Sequence, residues 1–382
     1  MGLLWSLVLC ILAQAACWGA ESPPQQAFSS SPLLSRGCND SDVLAVTGLA
    51  LQIINRDQKD GYVLGPNRVH DVWEHRQDSQ GSLFYLTLDV LETRCHVLSR
   101  KEWKDCGERM LHEAVYGQCK AIFYYDKPKR IIYLPAYNCT LRPVSRRKIY
   151  DMCPDCPSPT STDLSDPRVL EAATESLAEY NSKSTSKQYS LDKITRASSQ
   201  WVFGPAYFVE YLIKESPCTK PQASSCSLRS SDSMPVGLCQ GSLTRARTEK
   251  FVFATCDFFM SQVQTPGGEN SAVNQSSGSL FRVEQPLQEN TTSSSFPIKT
   301  TPMRSIQHLP DLNDEKLQGP REKDPQEAFP VQLDLTTNAQ GDTLHILGSQ
   351  QEKLVVLPFP KEQHSAKCPG PAQVTNPLVL PP

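Results

Sequence analysis

The sequence predicts an α+β fold used twice. Each unit is a helix against an antiparallel sheet, stapled by disulfides, and a Pro- and Ser-rich stretch follows the pair. Three observations predict it. Cysteines recur in the same order of short, medium and longer gaps: Cys95, Cys106, Cys119 and Cys139, then Cys218, Cys226, Cys239 and Cys256. Upstream of each set lies a similar helical stretch, Val43–Asn55 and Val169–Asn181, both ending in Asn. Beyond about residue 260, Ser, Thr, Gln, Asn and Pro dominate and aromatic residues thin out. A repeated framework means one fold used twice.

Taken in order, residues 1–19 are almost wholly apolar. Leu3 to Ala16 reads as a signal-peptide core, and Cys17-Trp18-Gly19 offers small residues where a signal peptidase cuts. No Lys or Arg precedes that run, and no later stretch is long enough to span a membrane. A secreted protein is expected, with no membrane partner.

The first folded block covers 38–150. Val43, Val46, Leu49 and Ile53 follow a helical period, so a helix capped by Ser41 or Asp42 is expected. Leu83–Thr93 alternates around Tyr85, Thr87 and Asp89, as a strand with one wet face does. Lys120–Tyr125 and Ile131–Tyr137 flank Asp126-Lys127-Pro128-Lys129 and read as a hairpin closed by Cys119 and Cys139.

A linker, 151–165, then carries Cys153-Pro154-Asp155-Cys156-Pro157. The second block covers 166–259. Asp166-Pro167 starts a helix, with Leu170, Ala173 and Leu177 on one face. Tyr207–Lys214 and Phe251–Asp257 read as strands. Each copy is small, so disulfides supplement a modest core. The region 260–382 cannot bury enough apolar surface to offset its chain entropy, and is expected to be mostly disordered. Leu354–Pro360 is a local apolar exception, read as a sticky patch rather than a docked one.

Fourteen cysteines less Cys10 and Cys17 of the signal leave twelve, an even number for an oxidising compartment. The repeat suggests Cys95–Cys106, Cys119–Cys139, Cys218–Cys226 and Cys239–Cys256, with Cys153 paired to Cys156 and Cys38 and Cys368 left over. Sequons at Asn39, Asn138, Asn274 and Asn290 offer glycan sites. A formal charge of -3 argues against nucleic acid as a partner.

Cys153–Cys156 admits three readings. A redox motif wants a helix N-terminus after the first Cys, which Pro154 and Pro157 disfavour. A zinc site wants a second ligand pair. A small disulfide ring would instead hold a stiff loop, either to space the domains or to thrust Asp155 outward. Arg142, Arg146, Arg147 and Lys148 precede it, read either as a solvated face or as a steering patch. No catalytic set is evident: His112-Glu113 lacks the second His of a zinc helix, and no Ser/His/Asp context appears. An enzyme is not expected, nor a cofactor, nor a metal of the chain's own.

Gln200-Trp201-Val202-Phe203-Gly204, ahead of a strand, has the Gln-x-Val-x-Gly pattern of the cystatin family's first hairpin loop. Tandem cystatin-like units, a Pro-rich tail and the Cys-Pro-Asp-Cys-Pro linker with Gln-Trp-Val-x-Gly-Pro together resemble the fetuin family. The resemblance covers 38 to about 260 well and the tail loosely. It implies two cystatin-like domains, a secreted monomeric plasma glycoprotein, and a Cys38–Cys368 link. It also implies inhibition of astacin-type zinc metallopeptidases, with the egg-cell enzyme ovastacin, and hence fertilisation, as the candidate target. A catalytic zinc keeps a position open for water. In that family the linker enters the cleft and its Asp meets the metal, which here falls to Asp155 within Cys153, Pro154, Cys156 and Pro157. Gln200–Pro205 would be a second contact. Two alternatives stand beside this: a cysteine-peptidase inhibitor acting through Gln200–Gly204, and a mineral- or ligand-binding carrier, to which Asp89 and Glu92 would contribute. The first block has no matching loop at Arg76–Gly81, and no Pro-Trp second loop is evident near Thr244–Lys250.

Overall fold

The computed structural model describes residues 32–77, 81–156, 159–184, 187–201, 203–216, 234–246, 249–259, 282–283, 304–310, 331, 333, 342–346, 352–360 and 365–380. The signal segment, Cys218, Cys226, Asn274 and Asn290 lie outside them.

The first copy opens with a short strand β1 (Leu34–Ser35) and helix α1 (Ser41–Asp57), then β2 (Tyr62–Arg76), β3 (Ser82–His96), β4 (Val115–Asp126) and β5 (Ile131–Pro143). Its strands run antiparallel in the order β1-β2-β3-β4-β5. After a short helix α2 (Arg146–Met152) and strand β6 (Thr160–Ser161), the second copy repeats the plan. It has α3 (Pro167–Lys183), β7 (Tyr189–Trp201), β8 (Pro205–Glu215), β9 (Gly237–Ala246) and β10 (Glu249–Phe258), with sheet order β10-β9-β8-β7-β6. This is the predicted helix-on-sheet plan, twice.

The Asn that ends each helical stretch does the same job in both copies. Asn55 Nδ2 donates to the Leu64 carbonyl at 2.9 Å, and its Oδ1 accepts from Leu64 N at 2.8 Å. Asn181 pairs in the same way with Tyr189, at 2.8 and 3.0 Å. A side-chain amide can present an N–H donor and a carbonyl acceptor side by side, as a strand residue does. It therefore ties the helix end to the start of the first long strand.

The helix starts differ from expectation in one case. Asp166 caps α3, its carboxylate accepting from Arg168 N at 2.9 Å, with Pro167 in the first turn. For α1 the cap residue is Asp40, not Ser41 or Asp42, and its carboxylate accepts from Gly37 N instead. Leu170 is also exposed. The buried face of α3 is Val169, Ala172, Ala173, Ser176 and Leu177, because small residues there allow close approach to the sheet.

Two disulfides bridge directly opposed residues of neighbouring strands, Cys119–Cys139 and Cys239–Cys256, both with Cα–Cα of 4.0 Å. Cys95–Cys106, Cys153–Cys156 and Cys38–Cys368 also form, as expected.

The first sheet departs most from expectation. Phe84, Leu86, Leu88 and Val90 of β3 face α1, in one core with Val46, Ala50 and Ile54. The opposite face is not wet. Leu83, Tyr85, Ile122 and Tyr124 share a second core with Leu333, Leu354, Val356 and Phe359. Further along, Asp89 is buried beside Arg68 and His70.

Parts of the region read as mostly disordered therefore pack on the first copy. Strand β11 (Arg282–Val283) and β12 (Arg304–His308) pair parallel with β5, and β13 (Asp342–Ile346) pairs with β14 (Glu352–Val356). Leu354–Pro360 docks rather than standing free, since the apolar outer face of β3 and β4 awaits it.

Candidate functional site

Helix α2 leaves the first sheet directly after β5 and ends in the linker. Of its residues only Ile149 is buried. The Ile149 carbonyl accepts from Cys153 N at 2.8 Å, and the Cys153 carbonyl accepts from Cys156 N at 3.1 Å. The disulfide closes this single turn, with Cα–Cα of 5.3 Å. Pro154 fixes one backbone dihedral inside the ring. Asp155 stands at its outer edge, exposed. Of the three readings of Cys153–Cys156, the disulfide ring is the one observed. Pro157 lies outside the described residues.

The chain then joins the second sheet beside the hairpin. Thr160 and Ser161 of β6 pair with Ser199 and Ser198 of β7. Thr162 N donates to the Ala197 carbonyl at 3.1 Å, and Thr162 Oγ1 donates to Ser199 Oγ at 3.0 Å. Arg146 of α2 donates to Thr160 Oγ1 at 2.9 Å. Five residues of chain (155 to 160) reach at most about 18 Å. The ring is thus tethered near the tip of the β7–β8 hairpin.

That tip is built to be displayed. Trp201 is 76% exposed and Phe203 85%, so the Trp is not a core residue. Gln200 pairs with Ala206 and Trp201 with Pro205 across the turn. Val202 lies outside the described residues. Gly204 is required by a close approach: a Cβ there would sit 1.9 Å from the Arg245 carbonyl oxygen. The neighbouring β9–β10 hairpin is held to α3 by Arg245–Glu171 and by Lys250–Glu175 at 3.1 Å.

Below the tip, the hairpin strands are clamped to the first copy. Arg196 of β7 and Glu210 of β8 oppose each other in register. Arg109, 1% exposed, donates to both Glu210 oxygens at 3.2 and 3.3 Å and to the Thr93 carbonyl at 3.0 Å. Arg196 donates to Glu92 at 2.7 Å and to the Glu113 carbonyl at 2.9 Å. Tyr62 donates to Glu210, and both guanidinium groups stack on its ring, at 4.1 and 4.9 Å.

Burial pushes the Glu92 and Glu210 carboxyls up. At Glu92 the His308 hydrogen bond and then the charges of Arg196 and Arg109 outweigh it, and at Glu210 the charges of Arg109 and Arg196 do, so both are held below their ordinary values. Tyr62, Leu212 and Leu238 pack beside this network, and His96 stacks on Phe259.

These contacts decide two further expectations. Asp89 and Glu92 lie inside ion-pair networks, so they do not form an open acidic face for mineral. Arg142 is buried, while Arg147 and Lys148 are exposed; the four cations are not one solvated patch. Asn39 is exposed and Asn138 is half-buried in β5 between β4 and β12. Among the described residues no cluster of His, Cys, Asp or Glu could hold a metal, and no helix is long and apolar enough to cross a membrane. Sequence reasoning missed Arg109, Arg196 and Glu210. The available signal was a lone Glu inside the apolar run Tyr207–Ile213.

Comparison with known proteins bears on this arrangement. Residues 156–247 match the family model for the cystatin domain. Human fetuin-B is 66% identical over the whole of both chains. A structure of mouse fetuin-B in complex with crayfish astacin is 58% identical, with a TM-score of 0.71, and covers 92% of this chain and 98% of that one. An inhibitory complex of human meprin beta with mouse fetuin-B matches at 58% identity and a TM-score of 0.69, covering 91% of this chain and 99% of that one.

Proposed function

The chain belongs to the fetuin-B family, and from that premise we propose that it is a secreted inhibitor, not an enzyme, whose targets are astacin-type zinc metallopeptidases. Residues 38–150 and 166–259 are its two cystatin-like domains and 151–165 the linker between them. Asp155 is the group that meets the target's zinc. Ovastacin is the candidate physiological target, which would place the chain in fertilisation.

One observation carries the role of Asp155: an exposed carboxylate on a disulfide-closed turn, a few residues before the strand that pairs with β7 next to exposed Trp201. An open zinc position normally holds the water that becomes the nucleophile. A carboxylate delivered there displaces that water. The ring lowers the ordering cost of insertion, since its conformation is already fixed. Trp201 and Phe203 supply apolar anchors of the type that dominates binding energy.

The test is inhibition of one astacin and one papain-like peptidase by the parent, Asp155→Ala and Asp155→Asn. Loss of the zinc contact should cost at least about 2 kcal/mol, roughly thirtyfold, against the astacin. The fold should be unaffected, because Asp155 supports no core. Folded Asp155→Ala protein that inhibits as strongly as the parent would refute the zinc contact. Potent inhibition of the papain-like enzyme that survives Asp155→Ala would favour the Gln200–Gly204 reading.

A further inference from the structure

We propose that residues 374–379, far from the linker in sequence, are a prop that sets the position of the Cys153–Cys156 loop, with Leu378 and Val379 as its positioning residues. This rests on the role given to Asp155 above.

The segment is anchored to the first copy at several points. Cys368 is bonded to Cys38, and the chain then runs along β2. Gly370 N donates to the Val69 carbonyl at 2.9 Å and Gln373 N to the Asn67 carbonyl at 2.8 Å. Val374 N donates to the side chain of buried Asn67, also at 2.8 Å. Asn376 turns the chain: its carbonyl accepts from Val379 N at 3.1 Å and its Oδ1 from Leu378 N at 2.9 Å.

The turn drives Leu378 and Val379 into an apolar cluster with Ala114, Tyr116, Val144 and Ile149, against which Val374 and Cys156 also pack. Both are almost fully buried.

The consequence follows from the weakness of α2. A helix of seven residues is too short to hold itself in water. Tyr150 and Met152 face solvent, and Ile149 is its one buried side chain. Ile149 is also where the loop begins, since its carbonyl holds Cys153 N. Whatever packs around Ile149 therefore fixes where the ring starts. Without Leu378 and Val379 that cluster loses two of its buried members. α2 would then fray, and Asp155 would lose the preorganisation that favours insertion.

The experiment compares the parent with a chain stopped after Gln373, which keeps Cys38–Cys368, and with full-length Leu378→Ala/Val379→Ala. The conservative Leu378→Met/Val379→Ile variant serves as rescue. Hydrogen exchange of the free protein is read over 146–156, and inhibition is read against an astacin.

The expected result is faster exchange confined to α2 and the ring, inhibition weakened roughly tenfold, and recovery of both in the conservative variant. Unchanged exchange over 146–156 overturns the proposal, as does, where Asp155→Ala itself loses inhibition, inhibition that stays at the parent level while exchange rises. The point variants decide the matter if the shortened chain fails to fold. Asp155→Ala that inhibits like the parent would sink the zinc reading; faster local exchange without the prop would still support its hold on the loop.

Discussion

Arg109→Ala tests whether the buried ion network, rather than the linker alone, holds the two copies together. Arg109 comes from the first copy and Glu210 from the second, with side chains 1% and 10% exposed. The substitution removes a cation that contacts both Glu210 oxygens, stacks on Tyr62, and lies 3.9 Å from Glu92. Two buried carboxylates remain. Arg196 still serves both, and Tyr62 and Gln240 still donate to Glu210, so compensation is partial. Removing one partner of a buried pair costs about 3–5 kcal/mol, and the residual partners place the expected loss near the lower figure. An exposed control is Lys101–Asp257, at 2.7 Å between the same two copies but 24% and 64% exposed. Lys101→Ala should cost under about 1 kcal/mol. With a urea slope of about 2 kcal/mol/M, the Arg109 loss corresponds to a midpoint lowered by roughly 1.5 M. The assay is urea unfolding of both variants, with small-angle scattering in the absence of urea. If Arg109→Ala shifts the midpoint no more than Lys101→Ala does, the buried network is not what docks the copies.

Gly204→Ala should dislocate the β7–β8 tip, since the new Cβ would stand 1.9 Å from the Arg245 carbonyl oxygen. A stability loss of about 1–3 kcal/mol in thermal unfolding, with weaker inhibition, is expected. Asn55→Ala and Asn181→Ala each remove two hydrogen bonds between helix and strand, for about 1–3 kcal/mol, and the more buried Asn55 should cost more by denaturation. Acid should loosen the docked pair in two stages. His96, Glu92 and Glu210 are all held below their ordinary values, the first by burial and the carboxyls by the arginines and His308 outweighing burial. A depressed group stabilises the fold fully above its unfolded value and loses that contribution as pH falls through its folded one. The first stage therefore begins below about 6.5 through His96 and the second below about 4.3 through the carboxyls. Urea midpoints measured against pH check this, and His96→Gln should flatten the upper stage.

The parts of the fold legible in the sequence are those fixed by short-range covalent and capping chemistry. Cys119–Cys139 and Cys239–Cys256 bridge opposed residues of adjacent strands, so their repeated spacing encodes sheet register. Asp166-Pro167 declares a helix start, and the two terminal Asn residues mark equivalent helix ends. Strands β2 and β9 escaped notice because Gly65-Pro66 interrupts one and Gly237 and Gly241 the other, while β7 is mostly polar. Such strands gain their partners from neighbours, not from their own pattern. The supposed wet face of β3 failed for a longer-range reason. Tyr85 alternates as a surface residue would, yet its hydroxyl accepts from Leu357 N at 2.7 Å and its ring meets Phe359. No local pattern announces a cover supplied from so far along the chain. At the candidate site, the ring and the Trp201 tip were readable as motifs. The clamp beneath them was not, because Arg109, Arg196 and Glu210 meet only once both copies are folded.

The same long-range cover distinguishes the described ends of the corresponding hairpins in the two copies. In the second copy the β7–β8 tip ends in Trp201 and Phe203, both open to solvent. In the first copy the equivalent stretch is Arg76–Gly81, of which 78–80 lie outside the described residues; Arg76 is exposed and Gln77 is buried. Its side-chain amide donates to the Val355 carbonyl at 3.1 Å, and its Oδ-equivalent, Oε1, accepts from Val355 N at 2.9 Å. Strand β14 therefore occupies the end of the first hairpin, and Leu354 and Val356 complete the core on that sheet face. The described end of the first hairpin is thus engaged by its own chain. The first copy can then serve as a rigid base. Its outer face is sealed by β14, its edge strand β5 is covered by β12, and its network holds Arg196 and Glu210 beneath the opposite tip. The difference between the two hairpin ends thus follows from where the later chain docks, with no difference required in the underlying fold.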